Sequence, residues 1–404
     1  MASLLIEILT EELPPLALEK ISEVFAIQVL ETLKKNKFTS SNPTKNVFAT
    51  PRRLAFVING IKEYADSSSE KIKLLPKKIG FNDDGEPKPP LMKKLDKISK
   101  ENNIEINILL NSLLQEKNKD QDFLFVEIQK EKKSIVNTLQ KTLISVVSNL
   151  PIPKIMFYQK KLKDGRAKDI YFIRPAHNFV AMLDEKLLDV SLFELRSQNS
   201  TFGHRFYSKS RIEILHAKEY EKKLKFKGKV IASFSERKKE IISQINDICK
   251  NMTPILPDEL INEICSISEW PKVYLSSFNQ KFLTLPKECL ILTMQKNQKY
   301  IPLKNENGEL TNKYLIVSNI DPEDPTAILH GNNRVLQARL NDAEFFYIKD
   351  KKNEFNNKEK ELSQIIYHNL LGNLSDRVKR ITQLTIKIGS LINVDPSDCK
   401  VAAK

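Results

Sequence analysis

The stretch Leu4-Leu5-Ile6-Glu7-Ile8-Leu9-Thr10-Glu11-Glu12-Leu13-Pro14-Pro15 decides the fold of the N-terminal region. Its apolar first half predicts a short strand over residues 4–9. The prolines then end the strand and suit the first turn of a helix, whose apolar residues recur at helical spacing as far as Leu33. Residues 47–50 and 54–58 predict two more strands, joined at Pro51-Arg52-Arg53. Together these elements predict an α+β unit.

Changes in composition divide the rest of the chain, and 404 residues are too many for one hydrophobic core. Residues 67–103 are rich in serine, proline and lysine, which is typical of a linker or an irregular insertion. Helical patterns dominate after Pro325. We therefore predict a multi-domain α+β protein with four segments, namely an N-terminal α+β unit (1–65), a linker or insertion with an α+β segment (66–165), an α+β module (166–325) and a helical region (326–404).

The charge of the chain indicates the kind of partner. Lys and Arg number 65 against 51 Asp and Glu, which gives a net charge of +14. Such a surplus favours a polyanionic partner, because phosphate contacts release counterions and so add affinity. General lysine richness is the alternative explanation. Only 12 of the basic residues are Arg, whose planar fork suits bidentate contacts, so their positions carry more information than the total.

Several classes of function lack their motifs in this sequence. The ten glycines include no GxG pair, so neither a P-loop nor a dinucleotide fingerprint is predicted. The five histidines and four cysteines show no metal-binding spacing, and no GxSxG elbow is present. The separated cysteines, the absence of a long apolar run and the early Glu7 predict a cytoplasmic protein without a signal peptide or membrane helix. We predict no catalytic residue, no metal site and no cofactor bound by this chain.

Five short segments combine Arg, His or Lys with turn residues and aromatic residues, a composition that suits RNA binding. Each has a structural alternative, since an arginine can brace a turn and an aromatic ring can belong to the core. Arg339 and Asp342, for example, have the spacing of an intrahelical ion pair. The predicted contact residues are Arg52, Arg53, Arg174, His177, His204, Arg205, Lys299, Arg334 and Arg339.

Nine stretches, in order along the chain, resemble the beta subunit of the bacterial heterotetrameric glycyl-tRNA synthetase. Three positions depart from the pattern of that family: Asn178 stands where it has Trp, Phe202 where it has Arg, and Asn297 where it has His. The matching stretches are EILTEELPP (7–15), FATPRRL (48–54), LPIPK (150–154), RPAHNFVAMLD (174–184), GHRF (203–206), EWPKVYLSSF (269–278), LTMQKNQKY (292–300), VSNI (317–320) and GNNRVLQARLNDAEFFY (331–347).

The resemblance implies a non-catalytic, tRNA-binding subunit that is required for ATP-dependent attachment of glycine to tRNA(Gly). The active site, with ATP and magnesium, is expected on the alpha subunit, in an assembly of two alpha and two beta chains without DNA or membrane. The nine predicted contact residues become tRNA or subunit contacts. The front of the chain is similar to the editing-type module of the phenylalanyl enzyme's beta subunit.

Family members continue into an HD-like helical domain and an anticodon-binding domain, so the resemblance implies that this chain is truncated. Two other functions stay open at this point. The first is an intersubunit scaffold with little direct RNA contact. The second is an editing-like hydrolase, against which the missing metal spacing counts.

Overall fold

The computed structural model describes residues 1–65, 69–82, 84–102, 104–118, 121–129, 133–161, 165–352 and 361–403. Two compact units are present, one formed by Met1–Glu240 with Cys265–Pro271 and the other by Ile241–Ile264 with Lys272–Lys404. Both units contain helices and sheets, which confirms the predicted multi-domain α+β class.

The first unit is built from fourteen described strands and six described helices, and a 3-10 turn spans Ala217–Glu219. The strands are β1 (Ala2–Thr10), β2 (Thr39–Thr50), β3 (Arg53–Ile61), β4 (Ser69–Pro76), β5 (Leu113–Asn118), β6 (Gln121–Gln129), β7 (Met156–Lys161), β8 (Ala167–Phe172), β9 (Ala176–Leu183), β10 (Lys186–Leu187), β11 (Ser191–Leu192), β12 (Leu195–Arg196), β13 (Ser200–Phe202) and β14 (Arg211–Glu213). The helices are α1 (Pro15–Lys35), α2 (Lys77–Gly80), α3 (Pro89–Asn102), α4 (Ile106–Asn111), α5 (Ile135–Ser148) and α6 (Tyr220–Phe226).

Two helices, α7 (Phe234–Ile248) and α8 (Asp258–Ile267), contribute residues to both units. The remaining elements belong to the second unit, which also has a 3-10 turn at Gln280–Thr284 and a π-helical turn at Thr293–Asn297. They are β15 (Thr253–Pro254), β16 (Lys272–Ser277), α9 (Lys287–Leu292), β17 (Ile301–Lys304), β18 (Leu310–Ser318), α10 (Thr326–Lys352), β19 (Ile366–His368), β20 (Gly372–Asn373), α11 (Leu374–Leu391) and α12 (Pro396–Ala402).

The opening strand, helix and paired strands lie where the sequence predicts them. The three strands belong to an antiparallel sheet of order β10-β9-β1-β3-β2 with β1 at its centre. Strand β9 pairs with β1 from Leu4↔Leu183 to Thr10↔Ala176, so this sheet draws on residues from two of the predicted segments. Such long-range pairing closes the N-terminal unit with residues more than 160 positions away, so the unit does not end near residue 65.

Both faces of this central sheet are covered, which explains the unbroken apolar run of β1. Leu4, Ile6 and Ile8 point into a core shared with α1 and α5. Leu5 points to the other face and packs with Tyr220 of α6 and its neighbours. Because side chains alternate along a strand, Glu7 points to that second face as well, and it is fully buried there.

The described residues of the stretch 67–103, predicted as a linker or an irregular insertion, form regular secondary structure. Strand β4 pairs with β6 in a three-stranded sheet of order β4-β6-β5, and α3 packs on it. Leu91, Leu95 and Ile98 of α3 are buried in a small separate core. Their spacing of four and three residues is that of an amphipathic helix, although lysines surround them in the sequence.

In the second unit, a four-stranded antiparallel sheet of order β15-β17-β18-β16 packs against α10. Leu336 and Leu340 of α10 are fully buried. The helix begins at Thr326, at the start of the predicted helical region, and Phe346 is exposed. Most of the charge run at 350–359 lies outside the described residues. No helix in the described ranges is both long and apolar enough to cross a bilayer.

Candidate functional site

Four segments of the first unit meet beside the end of β1 and bring three of the predicted contact residues together. Glu11 follows β1, Arg52 lies in the turn between β2 and β3, His177 is on β9, and Arg205 follows β13. Backbone hydrogen bonds hold these segments in place. The Thr10 amide donates to the Arg52 carbonyl at 2.7 Å, and the Glu11 amide donates to the Pro175 carbonyl at 3.0 Å. Four of the nine stretches quoted above thus form one surface, which we call the Glu11 cluster (Glu11, Glu12, Arg52, His177 and Arg205).

The Glu11 carboxylate is the centre of this cluster. Its Oε1 lies 2.7 Å from His177 Nε2, and its Oε2 accepts a hydrogen bond from Arg205 Nη2 at 2.9 Å. Arg205 Nη1 lies 3.4 Å from Glu12 Oε1, so both carboxylates fix the same guanidinium. The side chains of His177 and Arg205 are nevertheless 46% and 51% exposed. An arginine that is oriented but still half open to solvent keeps N–H donors for an external anion.

Electrostatics keeps Glu11 ionised. Partial burial by itself raises the pKa of this carboxyl group, but hydrogen bonds from His177 and Arg205, together with the positive charge of Arg52, outweigh it. The net result is a pKa below the ordinary value for glutamate. At neutral pH the cluster therefore presents arginines that an ionised carboxylate holds in place.

Arg53, the immediate neighbour of Arg52, points the opposite way and is fully buried. Its Nη1 donates to Glu7 Oε2 at 3.1 Å and its Nη2 donates to the Phe202 carbonyl at 3.0 Å. Its Nε donates to Thr50 Oγ1 at 3.2 Å and lies 3.5 Å from Glu269 Oε1. The donors of Arg53 are therefore bound within the first unit, and its assignment as an RNA or interface contact stays a prediction.

Glu7 completes this buried network. Its carboxylate accepts hydrogen bonds from the hydroxyls of Thr201 and Tyr220, both fully buried, as well as from Arg53. Burial opposes the charge of Arg53, but the Glu269 and Glu7 carboxylates outweigh it and raise the pKa of the guanidinium above its ordinary value. Burial, with the Glu7 carboxylate, also raises the pKa of Tyr220 well above its ordinary value. The network therefore holds the charged Arg53 beside the neutral Tyr220 phenol. It also ties β13 to the central sheet.

A second buried arginine, Arg237 of α7, was not among the predicted residues. Its Nη2 donates to the Ala49 carbonyl and its Nη1 donates to the Ile231 carbonyl, both at 2.6 Å, and its Nε donates to the Cys265 carbonyl at 3.0 Å. Burial lowers the pKa of this guanidinium. Sequence reasoning missed it because Arg237 lies in a lysine-rich helix, where nothing distinguishes it. Glu7 carried a clearer signal, namely a single charge inside an apolar strand.

The GHRF segment puts its two basic residues in different places. His204 is only 1% exposed, and its Nδ1 accepts a hydrogen bond from the Phe206 amide at 3.2 Å, whereas Arg205 reaches the surface. The structure thus places the His204 ring inside the unit, and its assignment as an RNA or interface contact stays a prediction. Gly203 explains the segment's sequence, because a Cβ there would lie 2.5 Å from the Gly228 Cα. Only a residue without a side chain allows the two backbones to approach this closely.

Arg174, two residues before β9, is half-buried. Its Nη1 donates to its neighbour's carbonyl, that of Ile173, at 2.9 Å and approaches the Met156 sulfur at 3.4 Å. Its assignment as an RNA or interface contact stays a prediction.

The other predicted residues belong to the second unit. Lys299 Nζ lies 2.9 Å from Glu263 Oε1, and its backbone has φ of 59° directly after the π-helical turn. Arg334 and Arg339 are exposed on α10. This helix is docked on its sheet by hydrogen bonds, since the Tyr300 hydroxyl donates to Asn332 Oδ1 at 2.8 Å. Asn332 therefore fixes the helix on the sheet, and the exposed Arg334 and Arg339 project from a rigid support.

Metal binding finds no support in the described ranges, where no group of three or more His, Cys, Asp or Glu side chains is placed to hold an ion.

Comparisons with known proteins give one consistent result. The profile of the family described as "Glycyl-tRNA synthetase beta subunit" matches residues 4–404. A glycine–tRNA ligase beta subunit of Ralstonia nicotianae is 39% identical over 394 residues, which cover 96% of this chain and 56% of that protein. Proteins of the same name from Janthinobacterium sp. and Acidovorax ebreus are 37% and 38% identical, over 100% and 96% of this chain and 57% and 54% of their own lengths. The chain thus spans about half the length of the curated relatives it matches.

Proposed function

This chain belongs to the glycyl-tRNA synthetase beta subunit family, and we propose that it binds tRNA(Gly) without itself carrying out the chemistry. In this proposal an alpha subunit holds glycine, ATP and magnesium and forms the activated amino acid. The beta chain positions the tRNA so that its terminal ribose meets that intermediate, in the cytoplasm and in an assembly of two alpha and two beta chains. Positioning alone lowers a barrier, because it replaces a bimolecular encounter with an oriented one.

The Glu11 cluster is the observation that carries the tRNA-binding proposal. Arg52, His177 and Arg205 come from three separate stretches of the chain and converge at one surface. An arginine fork matches the geometry of a phosphate group, and Arg205 is held ready for it by two carboxylates. The net charge of +14 adds long-range attraction for a polyanion.

A binding experiment tests this assignment. We expect Arg205→Gln to weaken tRNA(Gly) binding by about tenfold in a fluorescence titration, because a charge-assisted hydrogen bond to phosphate is lost. Lys20→Gln is the matched control, since it removes one exposed positive charge from α1, away from the cluster. Equal losses from both substitutions would show that only bulk charge matters and would remove the cluster from the proposal.

A second experiment tests the non-catalytic role. The purified chain, mixed with glycine, ATP, magnesium and tRNA(Gly), should form no glycyl-tRNA until an alpha subunit is added. Radioactive glycine retained on tRNA measures the product. Product formed by this chain alone would contradict the proposal.

An intersubunit scaffold is the second candidate, and exposed apolar residues favour it. Phe345 and Phe346 of α10 are each 60% exposed, which is unusual for large rings on a free surface. Capture of the alpha subunit by this chain, together with no measurable binding of tRNA(Gly), would favour the scaffold over the tRNA-binding role.

A further inference from the structure

Strands β7 and β8 form a two-stranded hairpin with one anchored face and one open face. On the anchored face, Ile170 and Phe172 are buried, and the Tyr158 hydroxyl accepts a hydrogen bond from the Ala176 amide at 3.2 Å. The open face begins with Phe157 and Tyr171, which lie directly opposite each other in the strand register. The hairpin is therefore a fixed support for whatever its outer side chains contact.

Phe157 and Tyr171 form an exposed aromatic pair. Their ring centroids lie 6.1 Å apart, and the side chains are 64% and 63% exposed. Cross-strand aromatic pairs stabilise a sheet, but that role does not require both rings to remain in water. Two large rings exposed side by side on an anchored hairpin form a surface suited to a planar ligand.

A small cleft opens beside Tyr171. Its volume is about 270 Å³, and Ile144 of α5, Phe193 and the Lys168–Glu194 pair are among its walls. Phe193 and Glu194 form the two-residue turn between β11 and β12, and both have positive φ, at 54° and 57°. Neither residue type favours that conformation, so the surrounding contacts must hold it.

Those contacts come from the core and from the hairpin itself. The Phe193 ring packs on Phe172 with centroids 4.5 Å apart, Lys168 Nζ donates to Glu194 Oε1 at 2.5 Å, and Lys160 Nζ donates to the Glu194 carbonyl at 2.9 Å. The cleft wall is thus fixed against the strand that carries Tyr171. A preformed cleft loses little conformational entropy when a ligand enters it.

Charge decides what kind of ligand fits the aromatic pair. Between residues 154 and 172 the sequence has six basic side chains and two acidic ones. A purely apolar partner segment gains nothing from this surplus, whereas a nucleic acid strand brings both a phosphate backbone and flat bases. Unpaired RNA bases stack on aromatic side chains, while bases inside a duplex are not available for stacking.

We propose that Phe157 and Tyr171 are a stacking platform for an unpaired base of RNA, with the adjoining cleft receiving the edge of that base and Lys161, which is exposed on the same face of the hairpin, attracting the backbone. This platform rests on the proposed tRNA-binding role and adds to it a second contact of a different chemical kind, outside the Glu11 cluster.

The test uses the 404-residue chain and three probes, namely a single-stranded RNA of about eight nucleotides, the same sequence as a duplex, and tRNA(Gly). We expect Phe157→Ala and Tyr171→Ala each to weaken binding of the single strand by about tenfold, with a smaller change for the duplex. Phe226→Ala is the matched control, because it removes another exposed ring, which is 73% exposed at the end of α6. Thermal unfolding of each variant checks that the fold is retained.

Phe157→Leu distinguishes an RNA base from an apolar partner segment as the occupant of the platform. Leucine keeps the apolar bulk and loses the flat ring, so stacking predicts the same loss as alanine. Wild-type RNA affinity in Phe157→Leu, or in both alanine variants, would overturn the platform while tRNA binding by the chain still stood. Failure of the wild-type chain to bind any of the three probes would overturn the proposed function and the platform together.

Discussion

Arg52 and Arg53 are neighbours in one turn, and the structure gives them opposite surroundings. Arg53 is fully buried among Glu7, Glu269 and Thr50, whereas Arg52 is half-buried and its positive charge acts on Glu11. The turn that joins β2 to β3 thus places one guanidinium in the buried network and the other in the Glu11 cluster. The buried network around Arg53 and Glu7 holds the loops in place. The same loops carry the side chains of the Glu11 cluster. Residue type alone does not separate a supporting arginine from a contacting one.

The largest expected effect is on stability, at Arg53. Replacing Arg53 with Met leaves the Glu7 and Glu269 carboxylates buried without their cation, so we expect the free energy of unfolding to fall by about 3–5 kcal/mol. Urea denaturation followed by circular dichroism measures the loss. Arg52→Met is the matched control and should cost less than about 1 kcal/mol. Similar losses of unfolding free energy in Arg52→Met and Arg53→Met would contradict the distinction between a supporting and a contacting arginine.

A smaller effect is expected at Gly203, which connects the buried network to Arg205. Gly203→Ala puts a Cβ 2.5 Å from the Gly228 backbone, and we expect a loss of about 1–3 kcal/mol as the two loops separate. Gly331→Ala provides the contrast, because no atom lies within 4 Å of its added Cβ and α10 gains up to about 1 kcal/mol from the better helix former. A neutral Gly203→Ala would show that the close approach does not hold the loop.

The smallest effect concerns the pH dependence of the Glu11 cluster. Because the pKa of Glu11 is lowered by folding, its contribution is fully present above the unfolded value of about 4.3 and disappears as the pH falls through the folded pKa. The Glu11–Arg205 ion pair is partly exposed, so the contribution of Glu11 to the free energy of unfolding stays below about 1 kcal/mol.

Glu11→Gln should therefore be less stable than the wild type at pH 7 and equal to it near pH 3, as measured by thermal unfolding. Glu31→Gln removes an exposed carboxylate of α1 and controls for the general loss of charge. A difference between wild type and Glu11→Gln that stays constant from pH 7 to pH 3 would contradict the ionised cluster.

The sequence was sufficient for elements whose signals are local. The apolar run of β1, the prolines before α1 and the two strands around Pro51 all appear where their patterns place them. The helix α3 was missed because Leu91, Leu95 and Ile98 are separated by lysines that hide a helical spacing. The pairing of β9 with β1 joins residues far apart in the chain, and no local pattern encodes that partner.

The candidate site shows the same limit. The sequence groups arginines and histidines into compact segments, and the structure brings Arg52, His177 and Arg205 together around Glu11. It could not show that Arg53 and His204 turn inward, because their exposure depends on packing with distant residues. Glu11 itself was not among the predicted contact residues, although its carboxylate organises the cluster.

The salt dependence of tRNA(Gly) binding tests the central claim most directly. If the chain binds through phosphate contacts, the logarithm of the association constant falls linearly with the logarithm of the salt concentration. Arg205→Gln should make the slope of that line shallower by about one, as expected for the loss of one phosphate contact. An affinity that stays flat between low and moderate salt would contradict the account.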